Sequence, residues 1–141
     1  MRASLSAPAV VAVLLAGAAF AQVKRGGNPE AARLVNPVER SPTSIAAGRR
    51  IYQRMCERCH GPAGKGDGTS ATGAEPPSDL TDDLWAHGST DGEIYTVIHD
   101  GSSIDMDGYA GRVSDTDIWN VVNYLRSLGP AAAPAGAAPP R

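Results

Sequence analysis

The string Cys56-Glu57-Arg58-Cys59-His60 is the part of the chain whose residue types and spacing could do chemistry. Two thiols separated by two residues at the end of a helix can each add across one vinyl group of a haem. A histidine directly after the second is then held beneath the iron as its proximal ligand. Three other uses compete. A disulfide over this spacing would close a small, strained ring and remove little loop entropy. A thioredoxin-like redox pair belongs where a strand meets a helix. Zinc would need a fourth ligand, from His87, His99 or a distant carboxylate. Haem attachment is the expectation, because an exported chain, the adjacent His, the lack of strand signals and a sparsely filled core agree with it.

The chain that must position this motif has 141 residues and a mass of 14.5 kDa, enough for one ordinary domain with tails. Aromatic residues make up only 5%, and the single Phe, Phe20, falls in the N-terminal segment. Gly numbers 16 and Pro 11, so side chains alone are a thin filling for a core. The net charge of −2 offers no basic field for a phosphate backbone, which sets nucleic acid aside as a partner.

The two ends read differently from the middle. Residues 1–21 have the form of a secretory signal: Arg2, an apolar run from Ala9 to Phe20, then Ala19-Phe20-Ala21 as small residues at the positions a signal peptidase reads. That run is shorter than the ~20 residues that cross a bilayer. The expectation is cleavage before Gln22, a periplasmic product and no membrane span afterwards. Residues 22–42, broken by Gly26, Gly27, Pro29, Pro37 and Pro42, read as a flexible lead-in. Residues 130–141, nearly all Ala, Pro and Gly, read as a disordered tail. The folded unit is therefore expected over residues 43–129, a size at which a cofactor or staple often completes the core.

Within that unit the spacing predicts helices at both ends. Ile45, Gly48, Ile51, Tyr52 and Met55 share one face of a helix running from Thr43 to Cys59, capped by Ser41 or Thr43. Ile118, Val121, Val122, Leu125 and Leu128 form the stripe of a last helix, Ser114 to Leu128, with Ser114 and Asp117 as a capping box and Gly129-Pro130 as its stop. A shorter helix is expected from Thr90 to His99, with Ile94, Tyr95 and Ile98 inward. No segment reads as a strand. The glycines between Gly61 and Gly73 suit a loop that lies close against something. The Gly61-x4-Gly66 frame lacks the following Lys of a phosphate loop, and Asp105, Asp107 and Gly108 lack the closing Glu of a calcium loop.

From Ile45 to Leu128 the chain resembles the class I c-type cytochromes, in their small bacterial monohaem group. The resemblance rests on Gly48 and Tyr52 ahead of Cys56, on Cys59-His60-Gly61-Pro62-x-Gly64-x-Gly66-Asp67-Gly68, on Pro76-Pro77-x-Asp79-Leu80, and on Trp119 to Leu128 as the last helix. It implies an all-α cytochrome c fold, three to four helices and loops wrapped around one covalently attached haem c. It also implies that the last helix crosses the first at Gly48, with Val121 and Tyr124 as contacts. Cys56 and Cys59 would carry the haem, His60 and Met106 would be the axial ligands of its iron, and a carbonyl of Pro76 or Pro77 would accept the ring N–H of His60. Met106 stands after Gly101 where the family places its distal Met; the family usually follows that Met with Pro, and this chain has Asp107. His87 and His99 are the other candidates for the distal side, His99 reading instead as a solvated residue at a helix end. Trp85, Tyr95 and Tyr109 read either as plain core or as groups whose ring N–H and O–H go to haem propionates.

The function expected from this resemblance is an exported one-electron carrier, not an enzyme in itself, serving a dehydrogenase, a quinol-oxidising complex or an oxidase. Acidic residues Asp100, Asp105, Asp107, Asp115 and Asp117 and basic residues Arg49, Arg50, Arg54 and Arg58 would give it charged ends for transient docking. The alternative is an open-site haem protein with peroxidase-like or gas-sensing activity, should Met106 not ligate.

Overall fold

Ser41 opens the first helix because its side chain accepts from the N–H of Ser44 while the Ser44 hydroxyl returns the bond to the Ser41 N–H, and Pro42 sits where a missing N–H costs nothing. In the computed structural model, which describes residues 27–72, 76–103 and 106–129, this helix, α1, spans Pro42–Met55. A one-turn helix, α2, follows at Glu57–His60. The helix expected as far as Cys59 thus breaks at Cys56, where the N–H of Cys59 bonds to the Cys56 carbonyl and tightens the turn.

Helix α3, Asp91–Asp100, starts at a second reciprocal cap between Thr90 and Glu93. Helix α4, Asp115–Leu128, starts at Ser114, whose hydroxyl oxygen accepts from the N–H of Asp117; here the acidic side chain bonds the Ser114 hydroxyl and not its backbone, so the expected box is half made. Strands do occur, contrary to expectation. Gly101–Ser103 (β1) pairs antiparallel with Met106–Asp107 (β2), a hairpin too short to show a period of two in the sequence.

Helices α1 and α4 cross at Gly48, as the resemblance implied. A side chain on Gly48 would collide with the backbone of Asn120 and the Cβ of Tyr124, so the absent methyl is what lets the axes approach. Around this crossing Tyr52 is fully buried, its ring 5.2 Å from that of Tyr124, and every residue from Ile118 to Leu125 is buried. Ile94 and Ile98 of α3 complete the core with Leu80, and Trp119 stacks on Tyr95 at 4.2 Å.

The described part of the lead-in, read from the sequence as flexible, touches the core at Ala31, Asn36 and Val38. A short 3-10 helix at Ala31–Arg33 buries Ala31 against Gly92 of α3. The Asn36 amide donates to Asn123 Oδ1 at 3.0 Å, and Asn123 Nδ2 donates to the Val38 carbonyl at 3.1 Å and to the Ser44 hydroxyl at 3.2 Å. These bonds satisfy the buried Asn123 amide. The expected signal at residues 1–21 and the tail at 130–141 lie outside the described residues. No helix among the described residues is long and apolar enough to cross a membrane.

Candidate haem-attachment site

The last turn of α1 hands directly to the motif: the N–H of Cys56 still bonds to the Tyr52 carbonyl at 2.8 Å, and His60 N bonds to the Cys56 carbonyl at 2.9 Å. One helical turn therefore separates the thiols, which puts Cys56 and Cys59 on the same side of α2. Both are free and half-buried. Burial, and then the proximity of Cys59, pushes the Cys56 thiol up to about 12, so it stays protonated at neutral pH. A low-pKa thiolate is what a redox pair needs, and this environment opposes it. Among the described residues no group of three or more His, Cys, Asp or Glu could hold a metal ion, which leaves the zinc reading without a ligand set.

His60 ends α2, and its orientation is fixed from the side. Its Nδ1 lies 3.2 Å from the carbonyl oxygen of Ser78, and since a carbonyl can only accept, Nδ1 carries the proton. Burial lowers the pKa of the ring, so the imidazole is neutral and its Nε2 keeps a free lone pair. The expected acceptor was a carbonyl of Pro76 or Pro77. The correction has a geometric cause: the Pro77 carbonyl is packed against the Cα of Gly66, and Pro76 is exposed, so Ser78 is the residue whose carbonyl faces the ring.

Ser78 is held in place by its neighbours. Asp79 Oδ1 accepts from the N–H of Thr81 at 2.8 Å and from its hydroxyl at 2.6 Å, and Leu80 N bonds to the Gly64 carbonyl at 2.7 Å. Lys65 reaches both Asp79, at 3.2 Å, and the Thr81 hydroxyl. The glycine-rich loop then folds back over the motif: Gly66 N bonds to the His60 carbonyl, Gly68 N to that of Cys59 and Ser70 N to that of Arg58. These are carbonyls that a helix end leaves without partners. At the turn itself Gly61 has φ of 77°, and the buried Tyr52 hydroxyl donates to its carbonyl at 2.6 Å. Ser78, Asp79 and the Tyr52 hydroxyl are parts of the site that the sequence did not announce; only Asp79-x-Thr81 carries a local signal, that of an Asx turn.

The distal candidates are placed as follows. Met106 is half-buried in β2, opposite Ser103. Tyr109, three residues on, gives its hydroxyl to the carbonyl of Met55 at 2.9 Å. Trp85 is half-buried against the core, with the Arg126 guanidinium 5.8 Å from its ring centre and Arg126 itself paired to Asp91 at 2.7 Å. His99, read as solvated, is half-buried at the end of α3, where it stacks on Tyr95 and lies 2.5 Å from Asp100. His87 is exposed and lines a cleft of about 330 Å³ with Glu93 and Thr96, none of whose walls belong to the motif.

Two free thiols on one side of a turn, followed by a neutral imidazole whose second nitrogen is already bonded, form a donor set that fits a covalently attached haem. Residues 43–125 match the protein family described as cytochrome c oxidase, cbb3-type, subunit III. The chain is 33% identical over 84 residues to the cbb3-type cytochrome c oxidase subunit FixP of Bradyrhizobium diazoefficiens, covering 60% of this chain and 27% of that protein. It is 32% identical over 93 residues to subunit CcoP of Rubrivivax gelatinosus, covering 65% of this chain and 28% of that protein. It thus spans little more than a quarter of the length of these relatives. Among solved structures, the reducing HAO-like protein complex of Kuenenia stuttgartiensis superposes with a TM-score of 0.63 at 28% identity, over 70% of this chain and 49% of that one. Cytochrome cL of the methylotroph Methylophaga aminisulfidivorans superposes with a TM-score of 0.53 at 22% identity, over 67% and 57%, a likeness of fold.

Proposed function

Since the chain belongs to the cbb3-type cytochrome c oxidase subunit III family, whose matched segment is a c-type cytochrome domain, we propose that it is an exported carrier holding one haem c and passing single electrons between protein partners. The observation that carries the reading is the His60 imidazole, kept neutral by burial and aimed by the Ser78 carbonyl, at the end of the turn that presents both thiols. Both cysteines of the chain lie in the motif, which supports a single haem. When bound, the haem supplies the iron whose oxidation state changes.

Everything else falls to the chain. Cys56 and Cys59 would hold the ring covalently, and His60, through Nε2, and Met106 would ligate its iron. A thioether favours reduced iron and raises the potential relative to two histidines. The buried crossing of α1 and α4 keeps the attachment turn still, so little moves between oxidation states. Exposed Arg49, Arg50, Arg54 and Arg58 on α1 and its sequel, and exposed Asp100, Asp107 and Asp115 elsewhere, give opposite charges for brief docking. The names of the relatives support a cytochrome c oxidase as the partner, and the signal-like sequence of residues 1–21 supports a periplasmic location.

The visible spectrum of the oxidised, haem-loaded protein tests the reading, with a pyridine haemochrome count. The expected result is one haem per chain and a Met–iron charge-transfer band at the red edge, lost in Met106→Ala. A high-spin spectrum that changes on adding carbon monoxide or cyanide would overturn it in favour of an open-site protein. Cell fractionation and sequencing of the mature N-terminus, expected at Gln22, test export.

A further inference from the structure

The segment that carries Met106 lacks the proline that would fix a backbone angle directly after it. Its order comes from elsewhere. The hairpin pairs Gly101 with Asp107 and Ser103 with Met106. Beyond it, Tyr109 N bonds to the Ile98 carbonyl and Ala110 N to that of His99, both at 2.9 Å, which seats the far end of the segment on the last turn of α3. These bonds tie Met106 to α3 alone.

A different bond ties it to the motif. The backbone ladder of α1 stops at Cys56, and the N–H of Cys59 turns to the Cys56 carbonyl, so the carbonyl of Met55 is left over. The hydroxyl of Tyr109 donates to that carbonyl at 2.9 Å, across 54 residues of chain. The guanidinium of Arg112 lies 4.4 Å from the centre of the same ring and holds its exposed face.

We propose that Tyr109 is a positioning residue for Met106: its hydroxyl, bonded to the Met55 carbonyl, fastens the distal segment to the residue before Cys56 and sets the depth at which the thioether meets the iron. The inference rests on His60 and Met106 being the axial pair. A methionine held at one end only leaves and returns more often, and each departure opens the iron to an outside ligand. One bond of ordinary net strength shifts such an equilibrium about fivefold to tenfold.

The test uses the haem-loaded protein and Tyr109→Phe, which keeps the ring and its packing and removes only the donor. Two signals are read, cyanide binding to the oxidised form and the alkaline titration of the Met–iron band. The expected result is about fivefold to tenfold tighter cyanide binding and loss of the band at lower pH than in the unsubstituted protein. Arg112→Gln, which leaves the hydroxyl, is expected to stay within about twofold of it. An unsubstituted protein without the band overturns the axial reading and this inference together. A protein with the band whose Tyr109→Phe variant binds cyanide and titrates unchanged overturns the inference alone. Should the variant fail to retain haem, proton NMR of the unsubstituted protein decides: a Tyr109 hydroxyl proton slow to exchange supports the bond, and one that exchanges freely overturns it.

Discussion

Gly48 and Asn120 meet backbone to backbone, with the Cα of the glycine lying against the carbonyl of the asparagine so that no side chain fits between them. In an isolated helix alanine would be the better residue by about 1 kcal/mol. Here the collision reverses the sign. Gly48→Ala is expected to destabilise the fold by about 1–3 kcal/mol, the usual cost of overpacking, read as a lower denaturation midpoint with an unchanged slope.

Tyr52 fills the space beneath the same crossing and spends its hydroxyl on the Gly61 carbonyl. Tyr52→Phe preserves the packing and strands that carbonyl, with an expected loss of about 1–3 kcal/mol in chemical denaturation.

All four tyrosines of the chain, Tyr52, Tyr95, Tyr109 and Tyr124, have their pKa raised above 10.0, in each case mainly by burial. A raised folded value means that the protonated form is favoured by folding. That contribution is present below the unfolded value and is lost as pH rises through the higher folded ones. At pH 10 the native protein is expected to show less tyrosinate absorbance than the same protein in guanidinium; equal absorbance would contradict the burial.

The haem motif, the face of α1 and the stripe of α4 were legible because each is a local spacing that one chemistry or one period requires; the crossing at Gly48 followed only from the resemblance. What stayed hidden lacks a local signature. The Ser78 carbonyl belongs to the backbone, and any residue at that place would offer one, so residue type does not separate it from Pro76 and Pro77; the Pro77 carbonyl lies against Gly66. The packing of the lead-in depends on Asn36 meeting Asn123 from 87 residues away, which no periodicity encodes. The hairpin at Met106 is shorter than the pattern that would reveal it.

Asn123 is the buried clasp of that lead-in. Asn123→Ala removes its bonds to Val38 and Ser44 and leaves the Asn36 amide without its acceptor. The expected result is a loss of about 1–3 kcal/mol and faster tryptic cleavage after Arg33 and Arg40, with the core resistant.

Asp79 has its carboxyl held below the usual 3.8, first by the Thr81 hydroxyl and amide and then by Lys65. A depressed folded value stabilises the protein above the unfolded value, and the contribution is lost as pH falls through the lower folded one. Thermal midpoints measured from about pH 5 downward are expected to fall more steeply in the unsubstituted protein than in Asp79→Asn. Parallel curves would show that Asp79 does not hold the Ser78 segment.

The return of Gly66, Gly68 and Ser70 onto His60, Cys59 and Arg58 gives that loop the character of a ruler. Its alternate residues are read off against consecutive carbonyls running the opposite way. Pro62, Ala63 and Thr69 are exposed, so their identity is open to drift. Its length is not: one residue gained or lost between Gly61 and Gly66 would put three donors out of step at once, and with them the turn that presents both thiols.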